Sequence, residues 1–586
     1  MLLDNLSPSR ELFRSPYAIT ELRSFHDRHG IMTDLLKKKR TLIILGALSL
    51  FLVFYGISAL SFTDPDDVFY AETAREMLTH GDPLIPHIFE QPQFEKPPLF
   101  YWSLALSFKV FGTNAGAARV VTGLVGLLGI VGTFLFLRRL LNQSVALLSS
   151  FLLVSSLGWL GLSRSVVTDL MFTVFISFAI YSFFLWYRLD KRVYLWLFAV
   201  FGALASLAKS PVGLVIALLV AILTLVLDRE SKRVRRFLFH PWWLLYLVLT
   251  LPWYVYATVK YGQAFLWEYF INDHWNRVVM AEHASFDHWY FYVAVVTVAM
   301  LPWTGYMAFI GANFRKYRSW YKFIFSWIAV VTVLVAIPHS KLATYVSPIY
   351  PPLAIGIGIG LYEGSVRLWR RSAAAVITIL TAVLAAVPVF LAKTQYPEFF
   401  YPALATFGVL SLCAVVAAVM LLTSRLKAAL MVNTAGILVF TFAAITTVMP
   451  KLETAVTDSD LPAIVSQYNY SNKPIACTKT FARGAYFYTR DTVLVLADSP
   501  DPFWSKHPLK VLSTDDEVRS FFGQYDTLLC VVSHGRHKKL DSLFAGTRKN
   551  IEISSNLGRC VLLSERILEP AIAGKPEPSR SLLGAN

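Results

Sequence analysis

The sequence predicts a polytopic α-helical membrane protein with a small α/β domain at its C-terminal end. Of its 586 residues, 55% are hydrophobic and only 16% are charged, and the mean hydropathy is +0.52. Soluble proteins carry about 25% charged residues, so this composition indicates a membrane protein. Thirteen apolar runs are long enough to cross about 30 Å of hydrocarbon. After Pro450 the composition becomes ordinary, and strand-like and helix-like segments alternate, which is typical of an α/β domain.

The charges between the apolar runs predict on which side of the membrane each loop lies. The runs cover residues 41–60, 116–137, 145–162, 167–187, 194–208, 211–227, 241–259, 288–311, 321–337, 344–362, 373–391, 402–423 and 427–448. Basic clusters start at Lys37-Lys38-Lys39-Arg40 and recur in every second loop, as in cytoplasmic loops. The N-terminus is therefore predicted to be cytoplasmic and the C-terminal domain to lie outside. Because the net charge of +16 sits in these short clusters, the pattern disfavours nucleic-acid binding.

The predicted organisation has four parts. Residues 1–40 form a cytoplasmic tail without a cleavable signal peptide, 41–450 the transmembrane domain, 451–569 an extracytoplasmic α/β domain and 570–586 a disordered tail. Within the α/β domain, "KPIACTKT", "TVLVLA", "LKVLST" and "TLLCVVS" predict strands, and "DDEVRSFFGQY" predicts a helix. The four cysteines are too few for a disulfide framework, although one pair among Cys477, Cys530 and Cys560 could form a bridge.

The first outer loop, residues 61–115, carries an acidic cluster in "TDPDDVFYAETAREM". One interpretation is structural: Asp64 caps a helix, Pro65 takes its first position, and Asp66 and Asp67 face the helix dipole. The stretch from Tyr70 to Leu78 is amphipathic and would lie in the interface plane.

The same loop ends in "FEKPPLFYW", where Pro97 holds Lys96 in an extended conformation. Pro97 and Pro98 can open a helix that carries four apolar or aromatic residues. Two interpretations of Lys96 stay open. It either snorkels above an aromatic belt, or it presents a fixed cation at headgroup depth that suits a lipid phosphate.

The other outer loops add further carboxylates and cations at the same predicted depth. Asp169 stands one turn into a predicted span, where an unpaired carboxylate is costly and indicates function, and Arg164 is a candidate structural partner. His339, Lys341 and Tyr345 enter the tenth run. The third outer loop holds acids, histidines and one arginine whose spacing fits no strong metal-binding pattern: Glu268, Asp273, His274, Arg277, Glu282, His283 and His288. Such a gathering at one membrane surface predicts transfer of a group from an anionic lipid carrier.

From about residue 41 onward, the chain resembles the bacterial GT-C glycosyltransferases of the aminoarabinose transferase type, which are related to the dolichyl-phosphate-mannose protein mannosyltransferases. The resemblance rests on "DDVFYAETAREML", "FEKPPLFYW", "AARVVTGLVG", "VVTDLMFT", "LAKSPVGL" and "SKLATYVSPIYPPLAI". It implies a monomeric GT-C enzyme of the bacterial inner membrane that performs an inverting transfer. The implied donor is a sugar linked to polyprenyl (undecaprenyl) phosphate, and the implied acceptor is lipid A or another envelope glycolipid.

The resemblance also implies roles for individual residues. Asp66 and Asp169 match the two acids of the family and are the catalytic candidates. The substrate-binding candidates on the same side are Lys96 and Tyr345, both expected at the donor phosphate, with Asp67, Tyr70, Lys341 and Arg164. Glu95 and His283 imply a candidate zinc site, for which His274 competes.

Two departures from the family pattern bear on substrate choice. Phe69 stands where the family commonly has Arg, which puts an extra phosphate contact in doubt, and Ala343 stands where Pro is usual. A hydroxyl acceptor would need a general base, for which Asp66 comes before Asp169, whereas a phosphate acceptor would need positioning more than deprotonation.

Two other functions stay open. An enzyme of the same class acting on protein Ser/Thr would use the same donor site. A transporter or flippase would show inverted repeats or polar residues near the midplane, but the ionisable residues here gather at one face and no internal repeat is visible.

Overall fold

The computed structural model describes residues 39–567, apart from 64, 81, 283, 363–367, 469, 471–472 and 498–508. The predictions for the two terminal tails, Asp64 and His283 therefore lie outside the described residues. Among the described residues, the contacts divide the chain into two compact units, a first that ends at Thr457 and a second that begins at Asp458.

The first unit is helical. Its α-helices are Lys39–Phe54, Asp66–Thr79, Leu99–Phe111, Ala115–Leu140, Gln143–Val154, Leu157–Leu162, Thr168–Leu189, Val193–Ala208, Val212–Leu227, Ser231–Leu238, Trp242–Tyr261, Gln263–Leu266, Arg277–Val279, Phe291–Ala299, Arg318–Ala336, Tyr350–Tyr362, Leu368–Gln395, Phe400–Ala403, Val409–Leu422, Leu426–Ala443 and Met449–Val456. Its π-helical turns are Trp267–Asn276, Leu404–Gly408 and Ala444–Val448, and its 3-10 turns are Ala284–Phe286, Thr304–Phe309, Ala343–Ile349 and Pro397–Phe399. A short hairpin pairs β1 (His87–Ile88) with β2 (Gln91–Pro92).

The chain is a multi-pass membrane protein. Among the described residues, seven helical segments are long and apolar enough to cross a membrane. They are Ala115–Leu140, Thr168–Leu189, Ser231–Tyr261, Arg318–Ala336, Trp369–Gln395, Pro397–Leu422 and Leu426–Glu453, and four shorter apolar helices accompany them. Each of the thirteen predicted runs overlaps one or more helical segments, some of them broken by π or 3-10 turns. The number of crossings and the sidedness stay predictions.

Small residues allow the helices of this unit to pack closely. Gly129, on Ala115–Leu140, lies against Trp159 and Val174, and a Cβ atom added there would come within 2.8 Å of both side chains. Such close approach is how helices associate in lipid, where there is little hydrophobic drive between them. Large aromatic side chains fill the core around this contact, among them Trp159, Trp186, Trp303, Trp320 and Trp327.

The second unit is a six-stranded sheet with helices. Its strands are β3 (Ile475–Thr478), β4 (Val493–Leu496), β5 (Lys510–Leu512), β6 (Thr527–Val532), β7 (Arg548–Ser555) and β8 (Cys560–Arg566), in the order β5-β4-β3-β6-β8-β7. The first four strands are parallel, and β8 and β7 add an antiparallel edge. The helices are Leu461–Gln467, Ala482–Thr489, Asp515–Phe522 and His534–Leu543, with a 3-10 turn at Lys479–Phe481.

The predicted α/β character is confirmed, and all four predicted strands are present. The helix predicted from "DDEVRSFFGQY" begins at Asp515 behind a capping box formed by Thr514 and Glu517. The bridge that the sequence left open among Cys477, Cys530 and Cys560 is not formed, because all three cysteines are free.

Candidate functional site

The helix Asp66–Thr79 is held at its N-terminal end by distant parts of the first unit. The backbone N–H and the hydroxyl of Ser61 both donate to the Glu453 carboxylate, at 2.7 and 2.6 Å. Thr63 forms an isolated antiparallel bridge with Thr457. Pro65 takes the N-cap position and not the first helical position predicted for it, and Asp66 and Asp67 form the first turn.

Asp66 and Asp67 are adjacent but have different surroundings. Asp67 is buried, its Oδ2 lies 3.0 Å from Nη2 of Arg119, and its Oδ1 accepts from the backbone N–H of Val166 at 3.0 Å. These contacts tie the acidic turn to two neighbouring segments, so Asp67 has a positioning role. Asp66 is exposed, which leaves its carboxylate accessible to a ligand.

Lys96 takes part in a buried ion cluster with residues of the helical segments Trp267–Asn276 and Arg277–Val279. Its Nζ lies 2.7 Å from Oδ2 of Asp273 and donates to the Glu95 carbonyl at 3.0 Å. Nε of Arg277 lies 3.0 Å from Oδ1 of the same aspartate. Burial raises the pKa of the Asp273 carboxyl, but the Lys96 and Arg277 cations outweigh burial and hold it below its usual value. Asp273 is therefore an anion that holds two cations close together.

Tyr345 connects this cluster to a second ion pair. Its hydroxyl accepts a hydrogen bond from Nη1 of Arg277 at 3.2 Å, and its ring lies 4.5 Å from Nζ of Lys209. Nζ of Lys209 in turn donates to Oδ1 of Asp169 at 2.6 Å. Both partners of this pair are nearly buried, with 14% and 8% of their side chains exposed. An unbroken line of contacts thus runs from Lys96 through Asp273, Arg277, Tyr345 and Lys209 to Asp169.

Tyr70 is within electrostatic reach of the two acids that were predicted to be catalytic. It is buried on the helix Asp66–Thr79 against Phe100, with the ring centroids 5.4 Å apart. Burial raises the pKa of the Tyr70 hydroxyl, and the negative charges of Asp169 and Asp66 raise it further. Tyr70 is therefore a neutral hydroxyl close to both carboxylates.

Arg164, the candidate structural partner of Asp169, does not pair with it, because Asp169 pairs with Lys209. Its guanidinium donates to the carbonyls of Leu52 and Val53 at 3.0 Å and of Tyr55 at 2.7 Å, at the end of the first described helix. Burial, together with the nearby Arg119 cation, lowers the pKa of Arg164 to about 10. Arg164 therefore remains a charged group beside a second guanidinium.

These two arginines line a mainly apolar cavity of about 600 Å³. Asp67, Thr63 and Ser165 also line it, while its other walls come from Gly56–Leu60, Leu157–Gly161 and the helical stretch 406–452. The polar wall is continuous with the acidic turn, because Asp67 is bonded to Arg119. The cavity thus combines an apolar volume with two guanidiniums. One of them, that of Arg119, is bonded to Asp67, which is the sequence neighbour of Asp66.

Lys341 is paired with an acid that is not part of the line of contacts from Lys96 to Asp169. It forms an ion pair with Oδ1 of Asp287, whose Oδ2 lies 2.7 Å from Nδ1 of His339. Asp287 therefore neutralises Lys341, and among the described contacts Lys341 has no link to the line that ends at Asp169.

The zinc site implied by Glu95 and His283 is not tested, because His283 lies outside the described residues. The alternative ligand, His274, donates from Nδ1 to the Tyr269 carbonyl at 2.6 Å. Burial lowers the pKa of His274, although the negative charge of Asp273 and the hydrogen bond to the Tyr269 carbonyl act in the opposite direction.

Sequence reasoning did not single out Lys209, Asp273 and Arg277 as site residues. Lys209 stands alone between two apolar runs, within "LAKSPVGL", and this isolation is the signal that could have identified it. Asp273 and Arg277 are four residues apart and so fall on one face of a helical turn. They were noted only among seven polar residues of one loop, and nothing local separated them from the rest.

Comparison with known proteins gives one family match. Residues 40–266 match the family model described as dolichyl-phosphate-mannose-protein mannosyltransferase. An uncharacterized protein of Aquifex aeolicus is 29% identical over 322 residues, which are 54% of this chain and 63% of that protein. The undecaprenyl phosphate-alpha-4-amino-4-deoxy-L-arabinose arabinosyl transferase of Pseudomonas paraeruginosa is 28% identical over 308 residues, which are 51% of this chain and 55% of the enzyme. The chain thus spans less than two thirds of the length of these relatives.

A solved structure has the same fold over most of the chain. The crystal structure of ArnT from Cupriavidus metallidurans bound to undecaprenyl phosphate matches with a TM-score of 0.72 and 21% identity, covering 89% of this chain and 97% of that one. The apo structure of the same protein matches equally well. The predicted helical membrane fold with a small C-terminal α/β domain is confirmed by this likeness.

Proposed function

We propose that this chain, which belongs to the GT-C family of membrane glycosyltransferases, transfers a sugar from a polyprenyl phosphate carrier to lipid A or another envelope glycolipid. The observation that carries the proposal is the line of contacts from Lys96 to Asp169. It places three cations, one tyrosine hydroxyl and two carboxylates in one connected cluster. The reaction would take place at the outer face of the bacterial cytoplasmic membrane, with the C-terminal domain in the periplasm.

Lys96, Arg277 and Tyr345 would bind the phosphate of the donor. The ammonium of Lys96 has three N–H groups and uses two of them, on Asp273 and on the Glu95 carbonyl, so the third is available to a phosphate oxygen. Asp273 would hold Lys96 and Arg277 in place before the donor arrives. Preorganised cations of this kind stabilise a leaving group that gains negative charge in the transition state.

The transfer would consist of one displacement at the anomeric carbon. An acceptor oxygen forms the new bond to that carbon while the bond to the donor phosphate oxygen breaks, and the polyprenyl phosphate leaves with the electron pair. The configuration is thereby inverted. Asp66, which is exposed at the start of its helix, would accept the proton of a hydroxyl acceptor or orient a phosphate acceptor. Asp169, paired with Lys209, would steady the positive charge that develops on the sugar.

The cavity beside Arg119 and Arg164 supports a lipid acceptor over a protein acceptor. Its apolar volume of about 600 Å³ suits an acyl chain, and its guanidiniums suit a phosphate. A Ser or Thr hydroxyl on a polypeptide would use neither feature. The names of the Pseudomonas relative and of the Cupriavidus structure support undecaprenyl phosphate as the carrier and 4-amino-4-deoxy-L-arabinose as the sugar.

Mass spectrometry of envelope lipids tests this proposal. Cells lacking the protein, cells with the wild type and cells with Asp66→Asn would be compared. We expect a glycosylated lipid only with the wild type, and equal protein levels in the two complemented strains. A sugar found on protein Ser/Thr instead would favour the mannosyltransferase-like function. Accumulation of the unmodified donor on the cytoplasmic side of the membrane in cells lacking the protein would favour a flippase.

A further inference from the structure

The second unit contains a group of sulfur, nitrogen and oxygen atoms that could bind a metal ion. The proposed reaction does not use this group. Donor atoms of His537, Glu552 and Cys560 all lie within 4.8 Å of one another. Nδ1 of His537 is 3.4 Å from Oε2 of Glu552, and Nδ1 of His534 is 2.9 Å from Sγ of Cys560. Among the described residues this set joins one thiol, two imidazoles and one carboxylate.

The backbone brings these side chains together by two local devices. His534 and His537 are three residues apart on the helix His534–Leu543 and therefore share a face. On the neighbouring hairpin, Ser555 pairs with Cys560 and Ser554 with Val561, but Glu552 pairs with Leu562 because the register shifts by one residue. Since side chains alternate along a strand, this bulge places Glu552 on the same face as Cys560. Without it, Ile553 would occupy that position.

Each histidine ring is also oriented by a contact of its other nitrogen, Nε2. Nε2 of His537 lies 3.3 Å from the Asp541 carboxylate, which accepts a hydrogen bond from Asn550 at 2.9 Å. Nε2 of His534 lies 2.8 Å from the Asn556 carbonyl. Nδ1 of His537 is left facing the Glu552 carboxylate, and Nδ1 of His534 is left facing the Cys560 thiol. This is the arrangement found around metal-binding histidines, whose second nitrogen donates to a carboxylate or carbonyl.

We infer that Cys560, His537 and Glu552 form a binding site for Zn²⁺ or a similar soft divalent cation, with His534 beside the thiol. Zn–N and Zn–O bonds of about 2.0–2.1 Å place tetrahedral ligand atoms about 3.3 Å apart, which is close to the 3.4 Å between His537 and Glu552. The donor set is one that zinc accepts, whereas Mg²⁺ and Ca²⁺ prefer oxygen alone.

Metal binding would require Cys560 to lose its proton. Zn²⁺ would bind the thiolate sulfur and displace one proton to solvent. The bound ion would connect the β7–β8 hairpin to the helix His534–Leu543 and stabilise this edge of the sheet.

Cobalt titration of the purified, chelator-treated full chain in detergent tests the site. Co²⁺ bound to a thiolate gives a sulfur-to-cobalt charge-transfer band in the near ultraviolet, and a site made of Glu95 and His283 would not. We expect the band in the wild type and in Cys530→Ala, which alters a buried thiol of the same sheet, and no band in Cys560→Ser. In competition with zinc, Asp541→Asn should weaken metal affinity about 10–100-fold.

A second variant pair covers the case in which Cys560→Ser misfolds. His537→Gln should lose the band or weaken cobalt binding at least tenfold, whereas Lys538→Gln, an exposed neighbour on the same helix, should bind like the wild type. Chelation should lower the melting temperature of the wild type and of Lys538→Gln but leave His537→Gln unchanged. A wild-type protein without the band, or a band of equal affinity in His537→Gln, would overturn the inference. The result does not depend on sugar transfer.

Discussion

Replacing Asp169 with Asn separates a structural from a catalytic role for this buried acid. The carboxylate lies 2.6 Å from Nζ of Lys209, and only 8% and 14% of the two side chains are exposed. Removing one partner of such a pair leaves the other charge buried without compensation, which costs about 3 kcal/mol or more. We therefore expect Asp169→Asn and Lys209→Met each to lower the free energy of unfolding by about this amount.

The double variant Asp169→Asn/Lys209→Met isolates the chemistry. Because both charges are removed together, most of the lost stability should return. Sugar transfer should not return, since a positioned carboxylate contributes about 100-fold or more to the rate. The assays are unfolding in mixed micelles for stability and initial transfer rates from a purified lipid-linked sugar for activity.

Two results would refute this reasoning. If the double variant regained near-wild-type transfer together with its stability, Asp169 would serve only to neutralise Lys209. If the single variants unfolded like the wild type, the pair would be far more hydrated than its burial indicates. Asp190→Asn is a matched control, because its ion pair with Arg236 is exposed and should contribute less than about 1 kcal/mol.

Further predictions concern the donor site, the acidic turn and pH. Arg277→Gln should raise KM for the lipid donor at least tenfold, because it removes a cation from the phosphate contact in ground and transition states alike; a change in kcat alone would contradict this. Asp66→Asn should lower the transfer rate by about 100-fold or more while Asp64→Asn has little effect, and equal small effects would assign both acids to helix capping. Burial raises the pKa of the Glu76 carboxyl to about 8, and the neighbouring Glu72 contributes. A folded-state pKa above the ordinary value gives stability that is present at low pH and lost as the pH rises through about 8. The melting temperature of the wild type should therefore fall as the pH rises to about 8, and that of Glu76→Gln should change less over the same pH values.

Composition and periodicity predicted most of the fold. The apolar runs coincide with helical segments because length and hydrophobicity are local properties, and the strands of the α/β domain follow from β-branched runs such as "TLLCVVS". The edge strand β7 was not predicted, and the reason is physical. "RKNIEISS" is largely polar, and its position is set by pairing with β8 and by the bulge, not by a hydrophobic pattern.

The sequence predicted part of the candidate site, but it did not predict which residues form ion pairs and hydrogen bonds with the site residues. Lys96, Tyr345 and Asp169 lie on one line of contacts, but the residues that connect them, Lys209 and Arg277, come from other segments. Arg164 is five residues from Asp169 in sequence, yet it bonds the end of a helix more than a hundred residues away. Ion pairing between distant segments depends on tertiary packing, so a single sequence cannot assign it.

The transfer reaction itself, measured with purified components, tests the central claim most directly. The protein in detergent would receive undecaprenyl phosphate-linked 4-amino-4-deoxy-L-arabinose together with lipid A, and products would be identified by mass spectrometry. We predict sugar-modified lipid A and free undecaprenyl phosphate in equal amounts, with the product lost in Asp66→Asn and not in Asp64→Asn. Wild-type protein that binds the donor but forms no modified lipid A, or transfers the sugar equally well after Asp66→Asn, would contradict the account.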